Sequence, residues 1–113
     1  MLRIRPEQLR ALREPLLDDF AERMVTFLRD QFANAAAQTP DALHPQTRGR
    51  VDEALACGLT TDRELATYVT AAWLYGDALA AEVERAGVSL ASPSVPTMDK
   101  HHQLRVLIKR RTG

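Results

Sequence analysis

Residues 6–36 constrain this chain more than any other stretch. Leu9, Leu12, Leu16, Phe20, Met24, Phe27 and Leu28 recur there at helical steps, mostly of three or four residues, and so fall on one stripe of a helix. Arg10, Arg13, Glu14, Asp18, Asp19, Glu22, Arg23, Arg29 and Asp30 occupy the rest of its circumference. Such a helix is about 45 Å long at 1.5 Å per residue. Seven large apolar side chains, at roughly 1.5–3 kcal/mol each on full burial, require a partner surface. The expected architecture is therefore an all-α, single-domain bundle of about four helices over residues 1–113, organised on this long N-terminal helix.

Composition narrows the function classes. Fifteen basic and fifteen acidic side chains cancel, so no bulk charge points to nucleic acid or to an anionic membrane. The charge is unevenly placed. Residues 62–86 carry five acids against two bases, and residues 97–113 carry five bases against one acid. One cysteine, Cys57, leaves no intramolecular disulfide and fits a reducing compartment. The opening MLRIRPEQ has no apolar signal core, and no run approaches the ~18 apolar residues of a membrane span. A cytoplasmic protein is expected.

Four helices are expected in order, over about 6–36, 45–57, 62–85 and 98–111. Pro6 suits a first helical position, and Ile4 with Leu9 has the spacing of a hydrophobic staple. Pro15 removes one hydrogen bond from the helix interior, yet the apolar phase continues through it, so a kink near Ala11–Pro15 is expected and not a stop. Asp19 and Arg23 should pair weakly. Residues 37–45 hold two prolines and read as a loop, with Pro45 opening a second helix that buries Val51, Ala54 and Leu55. Gly58 then takes a left-handed terminating position.

Thr61 and Glu64 form a capping box. The third helix buries Leu65, Val69, Ala72, Trp73, Gly76, Leu79 and Val83, and its unbroken phase favours one bent helix through Gly76. Residues 87–96 read as an exposed linker. Thr97 can cap the last helix, whose apolar face carries Met98, His101, Leu104, Leu107 and Ile108.

No residue cluster carries chemistry. Ala54 and Gly58 have helix-turn-helix spacing, but the next apolar position falls on Glu64, and an acidic recognition helix repels phosphates. His101 and His102 point about 100° apart on a helix and lack further well-spaced ligands, so no metal is expected. Asp18 and Glu22 share a face but read as solvated acids beside arginines. The linker serines lack a nucleophile elbow, Cys57 reads as a structural thiol, and Trp73 and Tyr75 read as core anchors. The chain reads as a non-enzymatic protein without a cofactor. Its candidate partner-binding residues are Phe27, Leu28 and Phe32, where the first helix meets a loop poor in large apolar residues, and Lys109, Arg110 and Arg111 in the basic last turn.

Two stretches resemble a known family. Glu7-Gln8, Phe20, Arg23-Met24, Phe27-Leu28-Arg29 and Phe32 are similar to the opening helix of small proteins encoded beside the spike, Rhs and effector genes of bacterial type VI secretion systems. Gly58-Leu59-Thr60-Thr61-Asp62-Arg63-Glu64-Leu65, followed by Tyr68 and Gly76, resembles the turn-plus-helix of the same family. The resemblance covers about residues 7–76. After Gly76 the family's acidic, proline- and tryptophan-bearing segment is replaced by DALAAEVERAG. It implies a helical chaperone or adaptor that binds an effector or spike component. The class-distinct alternatives are a nucleic-acid-binding regulator, using the second and third helices with the basic last helix, and an immunity protein that blocks a toxin.

Overall fold

The computed structural model describes residues 6–112, with side chains from residue 14 onward. Among them every regular element is helical: α1 Pro6–Gln31, α2 Ala33–Ala36, α3 Pro40–Ala56, α4 Asp62–Tyr75, a 3₁₀ turn Gly76–Ala78, α5 Leu79–Arg85 and α6 Thr97–Thr112. The all-α class is as expected. No helix among the described residues is long and apolar enough to cross a membrane. The expected staple of Ile4 on Leu9, and the Leu9 and Leu12 side chains of the stripe, lie outside the described residues and side chains. The chain divides into two compact units, Met1–Arg48 and Gly49–Gly113, with α3 running unbroken through the division.

In the first unit, α1 passes Pro15 without ending. Its buried positions are Phe20, Ala21, Met24, Val25 and Leu28, so the stripe is rolled toward residues 21 and 25. Leu16 consequently stands 70% exposed, although the part of the stripe expected to stay available was the Phe27–Phe32 end. The helix stops five residues earlier than expected. Phe32 adopts an extended conformation (φ −129°, ψ 122°), although its N–H still bonds to the Leu28 carbonyl at 2.9 Å. The short α2 that follows buries Ala35. Continuing α1 through ANAA would gain only propensity, a few tenths of a kcal/mol per residue, so a local packing preference suffices to turn the chain.

The loop read at residues 37–45 shrinks to residues 37–39, because α3 starts at Pro40 and carries Pro45 inside it. Thr39 supplies what Pro45 was expected to supply. Its hydroxyl accepts from the Ala42 N–H at 3.2 Å, its carbonyl accepts from Ala42 and Leu43, and Pro40 takes the first helical position, where no donor is needed. The α3 segment 40–48 is tied to α1 by Arg48. That guanidinium donates to both oxygens of Glu14 at 2.8 and 2.9 Å and to Asp18 Oδ1 at 2.9 Å. His44 Nε2 lies 3.2 Å from the Asp18 carbonyl. Asp18 is thus an ion-pair partner and not merely a solvated acid.

In the second unit, α3 ends as expected. Gly58 has φ +88°; its N–H bonds to Leu55 O, and the Leu59 N–H reaches back to Ala54 O, a Schellman closure. Val51, Ala54 and Leu59 are fully buried, while Leu55 is only half-buried. The capping box is present: Glu64 N–H donates to Thr61 Oγ1 at 3.2 Å and Thr61 N–H to Glu64 Oε1 at 3.1 Å. Thr60 N–H adds a second bond to the same carboxylate oxygen. Those backbone donors hold the Glu64 carboxyl below its ordinary range.

The single bent helix expected over residues 62–85 is instead two helices. Gly76 takes φ +60°, ψ −138°, which the interior of an α-helix does not allow, so α4 stops and α5 restarts after the 3₁₀ turn. The break preserves the phase: Leu65, Tyr68, Val69 and Ala72 of α4 and Leu79 and Val83 of α5 are all buried, whereas Trp73 is half-buried. The stretch after α5 is not wholly exposed either, since Leu90 is buried and anchors it. Pro96, not Thr97, caps α6, accepting from the Asp99 and Lys100 N–H groups. The most extensive helix packing in this unit is α4 against α6.

Candidate functional site

The buried face of α6 is Lys100, Leu104 and Leu107, flanked by half-buried His101 and Ile108. Lys100 was not expected there. It is 2% exposed, and its ammonium donates to the Cys57 carbonyl at 2.8 Å. That carbonyl belongs to the C-terminal end of α3, where oxygens lack helical partners and the dipole is negative. The lysine stem thus packs as an apolar chain while its head closes the neighbouring helix. Burial pushes the Cys57 thiol up, against the opposing pull of Lys100, so the neutral thiol is favoured.

Two further tyrosine contacts fix this unit. Tyr68 donates to Glu53 Oε2 at 3.0 Å, and Glu53 also receives Arg50 at 3.1 Å. Burial, with the nearby Glu53 carboxylate, raises the Tyr68 phenol well above its ordinary value, so it stays a donor. Tyr75 donates to the Leu107 carbonyl at 2.9 Å, and the Arg111 guanidinium lies 4.4 Å above the Tyr75 ring. Both rings hold their own unit together, in agreement with the reading of Tyr75 as an anchor.

The six candidate partner-binding residues separate into three groups. Phe27 is 43% exposed and available, whereas Leu28 is 1% exposed and belongs to the core, so it is withdrawn from any surface. Phe32 is half-buried at the α1–α2 break. Lys109 and Arg110 are exposed, while the Arg111 side chain is engaged with Tyr75. Sequence reasoning missed Leu16, which lies eleven positions before Phe27. Eleven residues are about three helical turns, so both sit on the same side of α1, roughly 16 Å apart. Arg23 projects between them, over Phe20 at 5.4 Å, and Asp19 lies 3.6 Å from it.

A second surface feature was legible only through Lys109. A shallow groove of about 500 Å³ is lined by Thr67 of α4 and by His102, Arg105, Val106, Ile108, Lys109 and Thr112 of α6. Thr67 bonds to His101 Nε2 at 3.0 Å, so of the two adjacent histidines one is tied to α4 and the other faces the groove. Among the described residues no three His, Cys, Asp or Glu side chains gather where they could hold a metal ion. The α3–α4 pair, joined through Gly58, carries Asp62 and Glu64 in the first turn of its second helix, which is unfavourable for phosphate.

Fold and surface together define a small all-α protein with an exposed apolar pair on α1 and a basic groove on α6. Compared with protein-family models, curated proteins and solved structures, the chain matches none.

Proposed function

We propose that this protein is a non-enzymatic accessory factor of the cytoplasm that binds another protein through α1, as a chaperone or adaptor for a type VI secretion effector or spike component. The observation that carries the reading is the exposure of Leu16 and Phe27 on one side of a helix whose neighbouring apolar residues are buried. Single exposed apolar residues are ordinary, but two aligned on one helix offer anchor points for a partner groove. The class of partner rests on the resemblance carried by residues 7–76. On docking, each anchor would contribute on the order of 1–3 kcal/mol.

The test is co-expression with the effector or spike protein encoded beside the gene. Leu16→Asp and Phe27→Asp should each remain folded and lose co-purification of that partner. Retention of the partner by both folded variants, or its absence from the unaltered protein, would refute the reading.

A further inference from the structure

The α6 groove is built differently from the α1 pair. His102, Arg105, Val106, Lys109 and Thr112 follow one another at steps of three, one, three and three, so they form one continuous face turned away from Leu104 and Leu107. Met98, 80% exposed, stands seven positions before Arg105 and therefore extends the same face by one turn. Val106 and Ile108 give the groove apolar lining at its two edges, and Thr67 forms the α4 wall. Arg105 and Lys109 are four apart, which sets two cations one helical turn from each other. Among the described residues no acidic side chain lines the groove, and Arg110 adds a further exposed cation beside it.

From this arrangement we infer that the groove binds an acidic amphipathic segment of a partner protein. Carboxylates one turn apart on that segment meet Arg105 and Lys109, and an apolar side chain between them covers Val106. The complementarity is of two kinds, and both are needed. Cations alone would suit a phosphate backbone, but a phosphate backbone leaves the methyl groups of Val106 and Ile108 without a partner. Lys109 and Arg110 also sit in the last turn of α6, where the helix dipole and the free carbonyl oxygens oppose a dense anion. A peptide carboxylate pair places fewer charges there and contributes apolar contact. This inference does not depend on the α1 pair, which lies on another helix.

Fluorescence anisotropy with a labelled helical peptide of about 14 residues, Glu and Leu at i, i+4 spacing, tests it. The intact protein should bind this probe at about 0.15 M salt, and a Gln-for-Glu version should bind about tenfold more weakly. Arg105→Glu with Lys109→Glu should weaken binding by at least that factor, with the circular-dichroism spectrum unchanged. Val106→Ser, which adds no charge, should also weaken it, which a purely ionic contact would not show. Phe27→Asp should leave it unaltered, so failure of the α1 reading is told apart from failure here. The inference is overturned if the Glu peptide does not bind, if the charge-reversed variant binds it equally, or if a duplex DNA of about 20 base pairs binds more tightly at the same salt.

Discussion

Gly76 and Gly49 are both glycines in helical stretches, and they call for opposite treatment. Gly76 has φ +60°, where a Cβ strains the backbone even though nothing stands within 4 Å of it. Gly49 lies inside α3 with open space around its Cβ position. Gly76→Ala should therefore lower stability by about 1–2 kcal/mol and Gly49→Ala should raise it by about 0.5–1 kcal/mol, both read from denaturant unfolding. Equal effects would mean that the Gly76 turn is not required by the fold.

Glu64 offers a pH test at the same scale. Its folded pKa lies below the ordinary 4.5 because the Thr61 and Thr60 N–H groups bind the ionised form. The capping contribution is thus fully present above the unfolded pKa and is lost as pH falls through the depressed folded value. Thr61→Ala should cost about 1 kcal/mol at neutral pH. The stability difference between the native protein and Glu64→Gln should shrink as acid is added below about pH 4. A difference constant down to pH 3, a value roughly one unit below the ordinary carboxylate range, would remove the carboxylate from the cap.

At the scale of elements, helical periodicity made the all-α class, the Gly58 closure and the α4 capping box readable, because each depends on residues close in sequence. What it did not disclose depends on distant partners. The roll of α1 that exposes Leu16 and buries Ala21 and Val25 follows from which neighbour it meets, and no spacing within α1 encodes that. Lys100 reads as a surface cation until the C-terminal end of α3 is placed beside it. The Gly76 break was visible as a glycine, but an uninterrupted phase argued for continuity, and phase proved compatible with a 3₁₀ interruption. Of the candidate surface, Phe27 was legible and Leu16 was not, while the groove needed Thr67 of α4 to have a wall.

Lys100 also supports a prediction at this scale. Lys100→Met keeps an unbranched stem and removes the head group that bonds to Cys57 O. It should lower stability by about 1–2 kcal/mol and accelerate amide exchange at Cys57 and Gly58, the end of α3. An unchanged exchange rate there would show that the ammonium does not hold that terminus.

For the whole molecule, the formal net charge is zero at pH 7 with histidines neutral, so long-range repulsion between copies is at its weakest near neutrality. Leu16, Phe27 and Met98 are exposed at the same time. Attraction between apolar patches is then opposed only by local charges such as Asp19, Arg23 and Arg105, and a protein without its partner should self-associate weakly. Light scattering should find the strongest attraction near pH 7, weakening on either side as net charge of one sign develops. A combined Leu16→Asp, Phe27→Asp and Met98→Gln variant should abolish the neutral-pH attraction and leave the melting transition in place, because none of the three side chains is buried. Moderate salt screens the remaining charges, so it should increase attraction in the native protein away from neutrality and leave the variant repulsive or neutral. If the variant attracts as strongly as the native protein at pH 7, these side chains are not the adhesive surface, and the protein-binding role assigned to α1 loses its physical basis.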